Sequence, residues 1–291
     1  MVSFSRSMLL LSTLLVQGSY GIRPTVDCSY SNSYPRQYVA YKLEEGKPIS
    51  IDGRMDEEAW SEVGYTETFV DISTETTPRL DTRAKIRWDD EFLYIGGHVT
   101  EPEAFANISS TCHCNVVFHD NDFEVFVDAD GTTHFYKEFE INAANATWDL
   151  CLNKPYLDNG YENSTRVFGV HGFDDMRPWG MMTLHNISIA TVNPRANAPY
   201  WSVEIALPLA KLAYNTTAVV PPRKDTFWRI NFSRVEWAVK IHSVEDPKTG
   251  KKTERSPPCQ PTSRVIDMHY PERWGFLQFS DAKYLIDLSV S

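Results

Sequence analysis

Residues 123–142 read Phe123-Glu-Val-Phe-Val-Asp128, then Ala129-Asp-Gly-Thr-Thr and His134, then Phe135-Tyr-Lys-Glu-Phe-Glu-Ile-Asn142. Apolar side chains recur at every second position on both sides of an Asp-Gly turn, which predicts two paired strands. Each strand then has one apolar and one polar face. The polar faces carry Glu124, Phe126 and Asp128 on the first strand, and Tyr136, Glu138, Glu140 and Asn142 on the second.

The same alternation recurs through most of the chain. Further strands are predicted at 38–43, 82–88, 92–99, 201–207, 227–237 and 274–279. One short helical turn is predicted at Met55–Trp60, started by Asp52, and another at Pro208–Ala213. The charged, proline-rich residues 245–261 predict a loop. Many short strands separated by turn signals favour an all-β fold, an antiparallel β-sandwich with one or two short helices over 38–281, followed by a tail at 282–291.

The N-terminus has the pattern of a secretory signal. Met8–Val16 is apolar and too short to span a bilayer, and the small residues Ser19 and Gly21 fit a cleavage site. We therefore predict a signal peptide at 1–21, a polar leader at 22–37, and a secreted protein without membrane insertion.

Glycosylation sequons agree with export. Asn231 also begins a sequon, but it lies inside a predicted strand and is not expected to be used. The sequons expected to carry glycans are those of Asn107, Asn145, Asn163, Asn186 and Asn215.

Five cysteines point to disulfide chemistry in an oxidising compartment, with one thiol left over. Cys112 and Cys114 have no second cluster of zinc-ligand spacing to join. We predict that Cys151 pairs with one of these two, and that a second bridge joins Cys28 and Cys259.

Charge and composition exclude some functions and favour another. The net charge is −11 and the pI about 5.2, which argues against nucleic acid and against anionic membrane surfaces. The chain has 8 Trp and 14 Tyr, rings that either stack on sugars or fill a core. The polar strand face, by itself, fits a sugar cleft and an ordinary solvent-facing sheet equally well.

Seven motifs in order resemble the family 9 carbohydrate-binding modules and cover about residues 38–280. They are Ile51-Asp-Gly with Asp56-Glu-x-x-Trp60, Trp88-Asp-Asp-x-x-Leu-Tyr-Ile, Asp120–Asp128, Tyr136–Ala143, Trp201–Pro208, Trp228–Arg234 and His269–Gly275. The resemblance implies an antiparallel β-sandwich that holds sugar in a cleft, often with structural calcium, and often alongside glycoside hydrolases.

The resemblance also implies a site. Family members sandwich a sugar between two rings, of which one corresponds to Phe118. At the position of the other, this chain has Pro258–Pro261, so Trp237 or Trp274 would have to substitute. The sugar-binding residues implied are Phe118, Tyr136, Glu138, Glu140, Asn142, Asn231, Arg234 and Trp237.

A second candidate site is the turn after the first strand of the opening stretch. Asp128 and Asp130 offer hard oxygens to Ca²⁺. The alternative is a plain hairpin turn, in which Asp-Gly is common, and we favour the turn slightly. No other cofactor is expected.

Three functions remain open from the sequence. The first is a non-catalytic carbohydrate-binding protein in carbohydrate catabolism, with a separate glycoside hydrolase as a partner. The second is a glycoside hydrolase that uses Glu138 and Glu140, which strand geometry spaces by about 7 Å. The third is a cell-surface sandwich that has lost its ligand, as the absent loop tryptophan suggests.

Overall fold

A computed structural model describes residues 35–102, 106–108, 117–160, 180–185, 200–237, 242–245, 252–255 and 268–282. These residues contain two short α-helices, α1 (Glu58–Ser61) and α2 (Leu209–Leu212), and twelve strands. The strands are β1 (Gln37–Lys42), β2 (Thr82–Trp88), β3 (Phe92–Thr100), β4 (Asp122–Asp128), β5 (Tyr136–Asn142), β6 (Thr147–Leu152), β7 (Gly180–His185), β8 (Tyr200–Pro208), β9 (Phe227–Ser233), β10 (His242–Glu245), β11 (Lys252–Arg255) and β12 (Gly275–Ser280).

The predicted strands are present, with bounds that differ by a few residues. The sequence missed β6 and β7. It also assigned 245–261 to a loop, whereas β10 and β11 pair as a two-stranded antiparallel ribbon. Alternating charged and hydroxyl residues can form a ribbon without an apolar face, so apolar periodicity gave no signal there. In the described residues, no helix is long and apolar enough to cross a bilayer.

Ten strands form one sheet in the order β6-β5-β4-β9-β12-β1-β2-β3-β8-β7. The prediction of a purely antiparallel sheet is wrong at one strand, because β1 runs parallel to both β12 and β2. The other pairs are antiparallel. Parallel neighbours need a connection of a dozen or more residues, and the segment 43–81 between β1 and β2 supplies it.

The sheet curls so that its two halves enclose one core, which gives the predicted sandwich. Core side chains come from both halves, with Phe123, Val125 and Phe139 from β4 and β5, and Ile95 and Val203 from β3 and β8. The predicted apolar faces of the opening stretch therefore face inward.

Gly97 on β3 marks a close approach between the two halves. A Cβ at this position would lie 2.6 Å from Val203 Cγ1 and 3.0 Å from the ring of Phe123. We expect Gly97→Ala to lower the free energy of unfolding by about 1–3 kcal/mol, because stiff neighbours must shift. Urea unfolding measures this change. Gly64→Ala is the control, since nothing lies within 4 Å of a Cβ there; an equal loss in both variants would contradict the close-approach argument.

The segment that contains the first motif is attached to the sheet through Glu204 on β8, which is fully buried. Its Oε2 accepts the backbone N–H groups of Asp52 and Gly53 at 3.1 and 2.8 Å. Its Oε1 accepts Met55 N–H at 3.1 Å and the indole N–H of Trp60 at 2.6 Å. One carboxylate on a strand thus fixes the Ile-Asp-Gly turn and the buried tryptophan of the motif.

Both predicted helical turns exist, but they begin later than predicted. The helix α1 begins at Glu58 with Glu57 as its N-cap. Asp52, which is six positions before Glu58, instead accepts a hydrogen bond from the backbone N–H of Arg54. Pro208 is the N-cap of α2 rather than its first residue.

The predicted modification sites divide between described residues and the rest of the chain. Asn107, Asn145 and Asn215 are exposed, as a glycan requires. Cys151 of β6 does not form the predicted disulfide in this structure: it is a free thiol, buried in the core. The segments 1–21 and 22–34 and the residues Cys28, Cys112, Cys114, Asn163, Asn186 and Cys259 lie outside the described residues.

Candidate functional site

Four carboxyl side chains lie together on the outer face of β4 and β5, the face turned away from the core. Glu124 lies opposite Glu140 in the strand register, and Glu138 lies opposite Phe126. Asp122 is two residues before Glu124 and shares its face. We name Asp122, Glu124, Glu138 and Glu140 the acidic face. The sequence predicted this alternation, and the structure confirms it.

The acidic face is buried. The exposed fractions are 0% for Asp122, 5% for Glu124, 4% for Glu138 and 2% for Glu140. The sequence predicted that Glu138 and Glu140 line a cleft, but these carboxyl groups lie below the surface. A ligand on this face must therefore reach the carboxyl groups from the edge of the face, or interact with them without direct contact.

Hydrogen bonds from distant segments orient three of the four groups. The donors are the backbone N–H of Val235 to Asp122 Oδ1 at 3.0 Å, the hydroxyl of Ser233 to Glu124, and the backbone N–H of Phe118 to Glu140. Among the described residues, Asp122 Oδ2, Glu138 Oε2 and Glu140 Oε2 have no hydrogen-bond partner. Each of Asp122 and Glu140 is therefore held by one oxygen and leaves the other available.

Burial raises the pKa of every group on the acidic face. The pKa of Glu140 rises to about 7, although hydrogen bonds from Glu138 and Phe118 lower it. The pKa values of Asp122, Glu124 and Glu138 rise well above their ordinary values, first by burial and then by neighbouring negative charges. The hydrogen bond between Glu138 and Glu140 raises the pKa of Glu138 and lowers that of Glu140, but burial is the largest cause for both.

Basic groups are scarce around the acidic face. Within the described part of the chain, the acidic face makes one ion pair, between His269 Nε2 and Glu138 Oε2, at 3.8 Å. The other ring nitrogen of His269, Nδ1, lies 3.0 Å from the hydroxyl of Tyr136. Neither Arg229 nor Arg234 forms an ion pair with Glu138 or Glu140 in the described part of the chain. Arg229 instead bonds Trp274 O and stacks over Phe276.

Two aromatic residues lie at one edge of the acidic face. Phe118 is 44% exposed, and its backbone N–H donates to Glu140. Trp237 is half-buried; its indole N–H donates to Phe118 O at 3.0 Å and its backbone N–H to Asn121 Oδ1 at 2.8 Å. Phe118 and Trp237, predicted from separate parts of the sequence, are thus neighbours. Trp274 is 2% exposed and packs against Tyr136, so it offers no open ring.

The other predicted sugar-binding residues occupy different positions. Tyr136 is fully buried in the cluster of Phe126 and Trp274. Asn142 is also fully buried, and its amide bonds Asp120 and nearby backbone groups. Asn231 is half-buried on the same outer face, opposite Phe126.

Arg234 is the predicted residue that the structure does not bring to the acidic face. It follows β9, and its guanidinium turns to the carbonyl of Thr100 and to Glu101 Oε2, at 2.7 and 2.6 Å. A second ion pair joins it to Glu236. These contacts make Arg234 a link between β9 and the end of β3.

The candidate calcium turn has the hydrogen bonding of a hairpin turn. Asp128 accepts the backbone N–H groups of Gly131 and Thr133 at 2.9 and 2.8 Å. Asp130 accepts from Thr132 and from Thr217, whose N–H lies 2.7 Å away. This geometry supports the turn interpretation. A cavity of about 290 Å³ opens at this end of β4, away from Phe118.

The sequence did not identify Asp122, Glu124, His269 and Asp120 as site residues. Glu124 and Asp122 share the face of Glu140 by simple alternation, so the pattern held that signal. Asp120 stands just before β4, where strand alternation gives no signal, and His269 reaches the site from a segment far away in sequence. The structure also groups three carboxylates that could hold a metal: one oxygen each of Asp122, Glu124 and Glu140 lie within 4.8 Å of one another.

Comparisons with known proteins identify one family. The family model described as carbohydrate family 9 binding domain-like matches residues 51–217. No curated protein is significantly similar in sequence. Among solved structures, a candidate carbohydrate-binding protein from Bacteroides uniformis has a TM-score of 0.53 at 14% identity, covering 85% of this chain and 100% of that one.

Two solved structures of a family 9 module from Caldicellulosiruptor kristjanssonii have lower TM-scores. The family 9 module in complex with glucose has a TM-score of 0.46 at 14% identity, covering 87% of this chain and 100% of that one. The module in complex with cellotriose has a TM-score of 0.45 at 14% identity, covering 88% of this chain and 98% of that one.

Proposed function

The chain belongs to the carbohydrate family 9 binding domain-like family, and from that premise we propose that it binds carbohydrate without cleaving it. The site we propose is the corner formed by Phe118 and Trp237, at the edge of the acidic face. The observation that carries this location is the exposed ring of Phe118, whose own backbone N–H is bonded to the buried Glu140.

This corner combines the two surfaces that a sugar ring needs. The apolar C–H face of a sugar can stack on the open ring of Phe118. Sugar hydroxyls need hydrogen-bond acceptors at the ring edge, and carboxylates accept several such bonds. The amide of Asn231 is half-buried and accessible from the outer face of β9. We therefore place the ligand over Phe118 and Trp237, with its polar edge toward the acidic face.

The geometry of Glu138 and Glu140 does not favour the alternative of a glycoside hydrolase. These two carboxyl groups are hydrogen-bonded to each other on one strand. Retaining enzymes separate the two groups by about 5–5.5 Å and inverting enzymes by about 6.5–9.5 Å, across the scissile bond. Two carboxyl groups that project from the same face of one strand do not flank a bond from opposite sides and fit neither arrangement.

Burial of the acidic face is the observation that favours the other alternative, a sandwich that has lost its ligand. Titration calorimetry with glucose, cellotriose and a panel of plant, fungal and algal glycans separates the two. Saturable binding of any member supports our proposal. Absence of binding to the whole panel overturns it and leaves the ligand-free sandwich.

Phe118→Ala tests the site. We expect this substitution to weaken the binding of a panel ligand by about tenfold or more, because the stacking ring is removed. Calorimetry gives the dissociation constant, and an unchanged melting temperature shows that the fold persists.

The matched control is Phe227→Ala, an equally simple truncation of a ring that is 52% exposed on β9. It lies opposite Gln278 of β12, away from Phe118. The expected result is unchanged affinity. If Phe118→Ala binds as tightly as the wild type, or if both variants lose affinity equally, the site lies elsewhere.

We also propose that the protein is secreted and N-glycosylated, and that it acts in carbohydrate catabolism beside a separate glycoside hydrolase. The signal-like N-terminus and the exposure of Asn107, Asn145 and Asn215 support export. Expression in a eukaryotic secretory host checks this. Recovery from the medium with a mass that falls on N-glycosidase treatment is expected, and retention inside the cell would contradict it.

A further inference from the structure

We propose that Asn121 and Glu101 are positioning residues of the carbohydrate site, which hold the ring of Trp237 beside Phe118 without touching the sugar. The inference rests on the proposed function. It adds to that function the buried groups that fix the shape of the site before a ligand arrives.

Trp237 stands on a segment that belongs to no strand or helix. Residues 234–237 follow β9, which ends at Ser233. The indole N–H of Trp237 donates to Phe118 O at 3.0 Å, and its backbone N–H donates to Asn121 Oδ1 at 2.8 Å. The second bond fixes the main chain of Trp237, so the place of the ring beside Phe118 depends on where Asn121 lies.

Asn121 is held at the other end of its amide group. It is 2% exposed, and its Nδ2 donates to Glu101 Oε2 at 3.1 Å. The two bonds require one orientation of the amide, because the N–H of Trp237 needs the oxygen and the carboxylate of Glu101 needs the NH₂ group. The amide of Asn121 therefore cannot turn over without losing both bonds.

Glu101 connects this amide to a buried ion pair. Its Oε2 also accepts from Arg234 Nη2 at 2.6 Å, and the side chains of Glu101 and Arg234 are 1% and 6% exposed. Arg234 Nη1 donates to Thr100 O at 2.7 Å, at the end of β3. Separating a buried pair of this kind leaves an uncompensated charge, so Glu101 stays in one position. The chain of bonds from Trp237 is thus anchored on a strand of the sheet.

This arrangement should raise affinity by ordering the ring in advance. Binding is tighter when the side chains of a site are already fixed, because less conformational entropy is lost on association. Hydrogen bonds behind the contacting groups provide such order. Asn121 and Glu101 lie behind Trp237 in this sense, and we expect them to act on affinity through its ring.

A double-mutant cycle tests the role of Asn121, with calorimetry on cellotriose and on each other glycan of the panel that the wild type binds. Asn121→Ala should weaken binding by about threefold to tenfold, and Trp237→Ala by at least as much. In the double variant, Asn121→Ala should add nothing to the loss caused by Trp237→Ala, because the ring through which it acts is gone. Additive losses, or an unchanged affinity in Asn121→Ala, would overturn the inference.

An exchange of donor and acceptor tests the role of Glu101. Asn121→Asp keeps an acceptor for the N–H of Trp237 but places two carboxylates against each other, so it should weaken binding at pH 8. Adding Glu101→Gln returns an NH₂ donor to this contact and should recover most of the affinity. If the double variant binds no better than Asn121→Asp alone, Glu101 is not a positioning residue.

Ser202→Ala is the matched control. It removes a buried side-chain hydrogen bond, to Gly53 O, on β8 in the other half of the sheet. We expect it to keep the affinity of the wild type, whatever stability it loses. A loss of affinity equal to that of Asn121→Ala would show a general effect of buried bonds and would contradict positioning.

Fluorotryptophan labelling gives a second measurement, without ligand. The fluorine NMR resonance of Trp237, assigned with Trp237→Phe, should shift in Asn121→Ala and stay in place in Ser202→Ala. An unshifted resonance in Asn121→Ala would overturn the inference. Absence of glycan binding by the wild type removes the proposed function and the inference together, whereas binding that Phe118→Ala weakens and Asn121→Ala does not removes the inference alone.

Discussion

Glu204→Ala is expected to lower the free energy of unfolding by about 3–4 kcal/mol, with a fall in melting temperature on the order of 10 °C. The carboxylate accepts three backbone N–H groups and the indole N–H of Trp60. Its removal leaves these donors without their acceptor at a position where the parent side chain is fully buried. Urea unfolding followed by tryptophan fluorescence measures the change.

The control for this variant is Glu58→Ala. The side chain of Glu58 is 71% exposed, and its bond is to Lys47 at the surface. Exposed ion pairs contribute about 0–1 kcal/mol, so the loss should be small. If Glu204→Ala costs no more than Glu58→Ala, the attachment of the 51–60 segment does not depend on Glu204.

Stability should also fall as the pH rises from about 5 to about 8 in buffer that contains EDTA. The pKa of Glu140 is about 7 in the folded protein, against an ordinary value of 4.5, and the other members of the acidic face shift in the same direction. The folded state then binds more protons than the unfolded state over this range. The stabilising effect of protonation is complete at a pH below the pKa of these groups in the unfolded state. It is lost as the pH rises through their pKa in the folded state.

The size of this loss is on the order of 3 kcal/mol for Glu140, since one pKa unit corresponds to about 1.4 kcal/mol. Urea unfolding at several pH values measures it. Glu140→Gln cannot ionise at this position and should reduce the pH dependence by about this amount, whereas Glu272→Gln on the exposed surface should leave it unchanged. A wild-type stability that rises steadily from pH 5 to pH 8 would contradict the protonated state of the acidic face.

Part of this fold could be read directly from residues. The alternation in the opening stretch predicted which side chains of β4 and β5 face the core, and Phe123, Val125, Phe139 and Ile141 do so. The ordered motifs predicted the family. They did not reveal that the Ile-Asp-Gly motif and Trp60 meet Glu204, a residue about 150 positions later in the chain.

The sequence predicted several residues of the candidate site, but not their burial or their contacts. Glu138, Glu140 and Phe118 were identified from the sequence, and the structure joins Phe118 to Glu140. The orientation of Arg234 could not be foreseen, because the residue lies just past the end of β9, where strand alternation no longer applies. Its partner Glu101 is 133 positions away.

The sequence alone determined the strands of the opening stretch, their two faces and the family. These follow from a period of two along an extended backbone, which is a local property. Tertiary structure alone decided that the polar face is buried, that burial raises the pKa values of its carboxyl groups, and that Phe118 and Trp237 meet at its edge. Burial and pKa depend on what distant segments place over a face, here Val235, Phe118 and His269, and no local pattern encodes those contacts.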